Sequence, residues 1–117
     1  MTTRTVTIKR TSLRPKITAR LRNSDGTYVD LTTATGVTFT MRRLEENGPD
    51  TVVLVDQPCA ITNAAQGIVE YTWQAGDTDV AGAHVGDFEV TWSPGVTEII
   101  PTKGYLNIRV LQTAGDI

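Results

Sequence analysis

The sequence predicts an all-β fold, a single sandwich of about eight short antiparallel strands, on three observations. Residues 69–73 (VEYTW) and 88–92 (FEVTW) alternate large apolar with polar side chains, the period-2 pattern of strands buried on one face. Clusters of Gly, Asn, Asp, Ser and Pro punctuate the chain at short intervals, and these are the residues that turn a backbone. Threonine supplies twenty of the 117 residues, with Val and Ile beside it, and stiff β-branched side chains pack well on a pleated surface. No apolar repeat at i, i+3, i+4 runs over a helical length, so an α/β fold is not expected.

In chain order, residues 4–9 place Val6 and Ile8 on one side of a first strand, and Arg14-Pro15 interrupts it because Pro donates no hydrogen bond and disfavours helix before it. Ile17, Ala19 and Leu21 mark the inward face of a second strand, closed by the turn Asn23-Ser24-Asp25-Gly26. A short extended piece over 28–31 leads to a loop or single helical turn over 32–36. Val37, Phe39 and Met41 give the clearest alternation of the first half, followed by a polar excursion over 42–50 whose Asn47-Gly48-Pro49 blocks regular structure. Residues 52–55 are an apolar run, a buried or an edge strand; residues 61–62 predict a short strand and 63–67 a turn. Strands are then predicted over 68–73, 83–92, 96–100 and 104–111, the last with Leu106, Ile108 and Val110 facing in. Val6, Ile17, Leu21, Phe39, Met41, Val69, Tyr71, Trp73, Phe88, Val90, Trp92, Leu106, Ile108 and Val110 are the predicted core.

This spacing of short strands and turns reads as immunoglobulin-like organisation. Such domains carry a Tyr at a corner near the start of a late strand, two residues before a Cys. In residues 79–86, His84 stands where that Tyr would be and Gly86 where the Cys would be. With Cys59 as the lone cysteine, no disulfide within the chain is available.

The order of segments also resembles a known family. A strand ending Tyr71-Thr72-Trp73-Gln74, then Gly76-Asp77-Thr78-Asp79-Val80-Ala81-Gly82, the long strand Phe88-Glu89-Val90-Thr91-Trp92, a Gly turn and a last strand Gly104-Tyr105-Leu106-Asn107-Ile108-Arg109-Val110 resemble the N-terminal domain of phage baseplate upper proteins. The resemblance extends upstream through residues 23–27, 29–31 and 37–42, covering most of residues 16–111. Small β domains related to it occur widely among phage virion proteins. It implies a non-enzymatic structural protein of the virion, a tail or baseplate component made in the host cytoplasm. Its partners would be other virion proteins in a symmetric homo- or hetero-oligomeric assembly, with no cofactor. A capsid decoration or head–tail connector protein is the alternative within this class, and a carbohydrate- or receptor-binding module the alternative outside it.

The residues themselves restrict the chemistry. The length suits one domain spanning 1–117. No apolar run approaches a membrane span, and the N-terminus lacks a signal peptide's apolar stretch, so a soluble protein is expected. One His and one Cys cannot close a zinc site. His84 is expected to bond backbone at the corner, and Cys59 to pack as a small hydrophobe. Asp77 and Asp79 hint at calcium but lack the further oxygen ligands of such loops, and Asx turns explain them. Glu70 and Glu89 fall on the outward phase of their strands. Trp73 and Trp92 could make a sugar platform, but their phase with Tyr71, Phe88 and Val90 points to core. Glycines lie singly, so no phosphate loop is present, and seven aromatics without a basic interleaved run give no nucleic-acid platform. A small-molecule ligand is not expected.

Charge is lopsided although the net charge is −2. Nine Lys/Arg and two Asp/Glu lie through Arg43, and two against eleven thereafter. Either the two portions interleave in the folded sheets, or a basic N-terminal arm over residues 1–14 meets an acidic neighbour. The second reading makes Arg4, Val6, Ile8, Lys9, Arg10 and Arg14 the candidate subunit interface, with Val6 and Ile8 filling pockets on the neighbour.

Overall fold

A computed structural model describes residues 5–101 and 105–116. The fold is all-β, with nine strands among these residues: β1 (Thr5–Lys9), β2 (Ile17–Arg20), β3 (Gly36–Arg43), β4 (Thr51–Pro58), β5 (Ala60–Asn63), β6 (Ile68–Tyr71), β7 (Gly82–Ser93), β8 (Val96–Ile100) and β9 (Leu106–Leu111). They form two sheets. The larger runs β1-β9-β7-β3-β4 with β8 beside β7, and the smaller runs β2-β6-β5.

β7 is the spine of the large sheet. Its twelve residues pair on one side with the whole of β3, from Gly36 opposite Thr91 to Arg43 opposite His84. On the other side its first half pairs with β9 and its second half with β8. β8 and β9 therefore behave as one strand line broken between Ile100 and Leu106. The alternation read from sequence governs burial: Val37, Phe39 and Met41 on β3 and Phe88 and Val90 on β7 face inward, meeting Ile17, Val69 and Tyr71 of the small sheet in one core. The Phe39 ring touches both layers, its centroid 5.1 Å from Phe88 and 5.2 Å from Tyr71. Trp73 stands edge-on to Tyr71 at 5.6 Å and is 2% exposed.

Two glycines are demanded by close approach. A Cβ on Gly86 would lie 2.7 Å from the Phe39 ring, and one on Gly67, at φ +70°, would lie 2.5 Å from the Val29 carbonyl oxygen. Gly67 thereby lets the β5–β6 turn receive the 21–31 segment, where Leu21 N donates to the Gly67 carbonyl at 2.8 Å and Val29 N to that of Leu21 at 3.0 Å. Val29, and Leu31 whose N donates to the Ala64 carbonyl at 2.8 Å, join the core without belonging to a regular strand.

Several expectations need correction. The sandwich is not wholly antiparallel: β1 pairs parallel with β9, Thr5 opposite Asn107 through Lys9 opposite Leu111. A five-residue strand laid along the last strand closes an edge that β9 would otherwise leave open, and it buries Ile8 to 3% exposure. Residues 5–14 therefore belong to the domain and are not an extended arm. The turn after β1 is tied down too. Thr11 N donates to the Thr78 carbonyl at 3.0 Å, Thr78 Oγ1 to that of Ser12 at 3.0 Å, and Trp73 Nε1 to that of Pro15 at 3.0 Å. Arg10 holds Asp116 with two parallel hydrogen bonds of 3.0 and 2.5 Å. Val6 and Trp92, expected in the core, pack against it but are only half-buried, Val6 on the edge strand β1 and Trp92 near the end of β7.

Removal of residues 1–14 is expected to abolish cooperative thermal unfolding, since it strips Ile8 from the core and leaves the edge of β9 unpaired. A truncated protein melting like the full chain would restore the arm. Gly86→Ala should cost about 1–3 kcal/mol through overpacking against Phe39, measured by urea unfolding. Trp73→Ala should cost roughly 3–5 kcal/mol, a large share of the roughly 5–15 kcal/mol such domains possess.

Candidate functional site on the outer face of the large sheet

The two sheets present unlike outer faces to solvent. On the small sheet the outward positions are polar and satisfied among themselves. Lys16 Nζ lies 3.6 Å from Glu70 Oε1, Thr18 Oγ1 donates to Glu70 Oε2 at 3.3 Å, and Arg20 bonds both the backbone and the side chain of Gln66. Arg20 and Arg22 also stack on the Tyr28 ring, at 3.2 and 4.6 Å from its centroid. That is an ordinary solvated face.

The large sheet differs. Since Val37, Phe39 and Met41 point inward, Thr38, Thr40 and Arg42 point outward, and with them Val85, Asp87 and Glu89 of β7 through direct pairing. Val85 is 6% exposed on this outer side, away from the main core. Around it, Thr40, Arg42, Val52, Asp87 and Tyr105 complete a shallow pocket of about 120 Å³. Val52 and Tyr105 of the pocket and Val55 beside them on β4 are exposed, Val52 at 59% and Val55 at 56%, and Ile99 is exposed further along the same face, opposite Glu89. Isolated exposed apolar residues are ordinary, but a contiguous group on a sheet face marks a contact surface. The Arg42 guanidinium lies 4.7 Å from the Tyr105 ring centroid and donates to Asp50 Oδ2 at 3.0 Å. Thr38 Oγ1, on the same face, is the one buried side-chain polar atom without a hydrogen-bond partner among the described residues.

Charge is graded along this face. Asp87 and Glu89 occupy the end nearer β8, while Arg109 and Lys9 occupy the other end, through the pairing of Ala83 with Arg109 and of Lys9 with Leu111. Asp87, Glu89 and Arg109 enter no ion pair found among the described residues. Burial pushes the Asp87 carboxyl upward, and Arg42 offsets some of that rise.

The N-terminal interface expected from sequence is dispersed by the fold. Ile8 is in the core and Val6 half-buried beside it. Arg10 is committed to Asp116, whose carboxyl is thereby held well below the usual range, and Arg14 is exposed. Lys9 lies on the outer face, its Nζ donating to the Gln112 carbonyl at 3.2 Å. Arg4 lies outside the described residues. The sequence charge split is taken up in part within the domain: among the described residues Arg10–Asp116 and Lys16–Glu70 join distant parts of the chain, while Arg42–Asp50 and Arg43–Glu45 are local pairs across the Arg43 boundary.

The other reactive residues serve structure. His84 is buried at the start of β7 and its Nδ1 donates to the Gly82 carbonyl at 3.0 Å, as a corner residue should. Burial lowers its affinity for a second proton. Asp77 is buried, and its Oδ2 accepts from the Tyr71 hydroxyl at 2.5 Å and from Gln74 N at 2.7 Å, locking the 74–77 turn. Burial raises the Cys59 thiol to about 12. Trp73 is enclosed, and the half-buried Trp92 donates to Glu98 Oε1 at 3.3 Å, so the two indoles do not form a common platform. The outer face was missed in the sequence, although Val85 on the outward phase of β7 and the unalternating run 52–55 were its signals. Comparison with protein families, curated proteins and solved structures yields no match.

The raised Asp87 carboxyl fixes the sign of a pH effect. The folded state holds this proton more tightly than the unfolded chain, so the contribution to stability is present at acid pH and lost as pH rises through the folded value. Asp87→Asn should thus be more stable than the parent at neutral pH in dilute solution, the difference shrinking on acidification; urea midpoints across pH test it. Cys59 should react with a disulfide reagent at neutral pH far more slowly in the native than in the unfolded chain, because little thiolate forms. Equal rates would place the thiol in solvent.

Proposed function

We propose that this chain is a non-enzymatic structural subunit of a bacteriophage particle, a tail or baseplate component that binds neighbouring virion subunits. The observation that carries the reading is the outer face of the large sheet, where apolar side chains, a pocket and charges outside any ion pair lie together with no covering layer among the described residues. Such a surface serves association. The family resemblance adds to this, since its segments correspond to β6, the 74–81 loop, β7 and β9 in order. Two facing sheets and a corner residue opening a late strand support the immunoglobulin-like reading. His84, Cys59 and Asp77 are each engaged in packing or backbone support, which favours an assembly role over chemistry at those positions.

Mass spectrometry of purified particles separated into heads and tails tests the assignment. The chain is expected in the tail fraction. Recovery with heads alone would make it a capsid decoration or connector protein, and its absence from both, with binding on a glycan array, would replace the structural reading by a receptor-binding module.

A further inference from the structure

We infer that the outer face of the six-stranded sheet is the contact between two copies of this chain, packed face to face about a two-fold axis running across the strands near Val85 and Asn107. Two properties of the face select a second copy. Its apolar residues lie along and beside that line: Val52 and Val85 share the row of Arg42 and Asn107, while Val55 and Tyr105 flank it. Its charges are arranged in opposite senses on the two sides of the same line. Asp87 and Glu89 lie one and two rows to one side, Arg109 and Lys9 one and two rows to the other. Rotation about the axis exchanges the sides, so Asp87 of each copy comes over Ala83 of the other, one strand from Arg109, and Glu89 comes over the row in which Lys9 lies two strands away.

A closed two-fold contact needs just this reciprocity, each pair occurring twice. Face-to-face sheets also sit about 10 Å apart, a gap that Val, Tyr and Arg side chains from both layers can fill. Arg42, on the row of the axis, is paired with Asp50 at 3.0 Å and also acts on Asp87 of its own copy. The pocket between Val52, Val85 and Tyr105 receives side chains of the facing copy, and the Asp87 carboxylate gains a cation there. The two bulges in β4, one at Asp56 with φ 49°, argue against continuing the sheet edge to edge instead, since bulges blunt an edge.

The inference rests on reading this chain as an assembly module, and sedimentation of the purified full chain tests it separately. The parent protein should form a dimer at concentrations up to about 1 mM and loosen as salt rises. Val52→Asp should leave a folded monomer. Arg109→Asp, at an exposed position, sets like charges against Asp87 and should weaken the dimer by about tenfold or more. Adding Asp87→Arg to Arg109→Asp exchanges both signs and should restore it. Thermal melts of each variant establish that it is folded. A monomeric parent, a dimer indifferent to Val52→Asp, or a folded double variant that stays weak would each overturn the two-fold contact. A monomer found in tail fractions would remove the dimer and leave the virion reading standing, whereas a dimer absent from particles would do the reverse.

Discussion

The fold depends on one close approach, that of the Phe39 ring to the backbone of β7 at Gly86. With no side chain at that point, the ring sits against the central strand and reaches both Phe88 in its own sheet and Tyr71 in the other. Tyr71 in turn orients Trp73 edge-on and fixes Asp77 through its hydroxyl. Asp77 locks the turn that carries Thr78 to the β1–β2 connection, and Trp73 holds the same connection at Pro15. One absent Cβ thus underlies a chain of contacts running from the middle of the large sheet to the N-terminal turn. At Gly86 an aromatic ring packs directly on the strand backbone, so the tie there is one of dispersion and area burial.

Much of this was legible in the sequence wherever alternation was strong. Val37, Phe39 and Met41, or Phe88 and Val90, announce a buried face by themselves, because a strand inside a sandwich has one dry side and one wet side. Alternation says little where a residue's environment is set by a strand distant in sequence. β1 has too little apolar surface to be placed locally, and its parallel partner lies over a hundred residues away, Thr5 beside Asn107. Val6 and Trp92 have the correct phase yet sit at margins, and phase does not report how far the opposite sheet extends. Val29 and Leu31 are core without a strand, brought in by the approach of the Val29 backbone to Gly67 and the bond of Leu31 N to the Ala64 carbonyl.

The candidate surface was less legible than the core, for a physical reason. An outward-facing strand position tolerates nearly any residue, so Val85 or Val52 carries meaning only once the register shows them adjacent. The charge asymmetry was visible, but its use was not. Part of it is taken up by ion pairs, of which Arg10–Asp116 and Lys16–Glu70 bring early and late segments together while Arg42–Asp50 and Arg43–Glu45 are local. Among the charges outside these pairs, Asp87 and Glu89 against Arg109 and Lys9 are distinguished by position on one face.

The parallel pairing of β1 with β9 has a mechanical consequence. Tension entering ahead of Thr5 and leaving beyond Leu111 acts at opposite ends of two strands lying side by side in the same direction. Such a load pulls along the strands, so their hydrogen bonds share it together and must fail as a group, unlike those of a hairpin, which break in succession from the open end. Arg10 clamped to Asp116 adds a lateral tie beside the same pair. A domain loaded in this way resists stretching along these two strands better than one whose terminal strands peel apart.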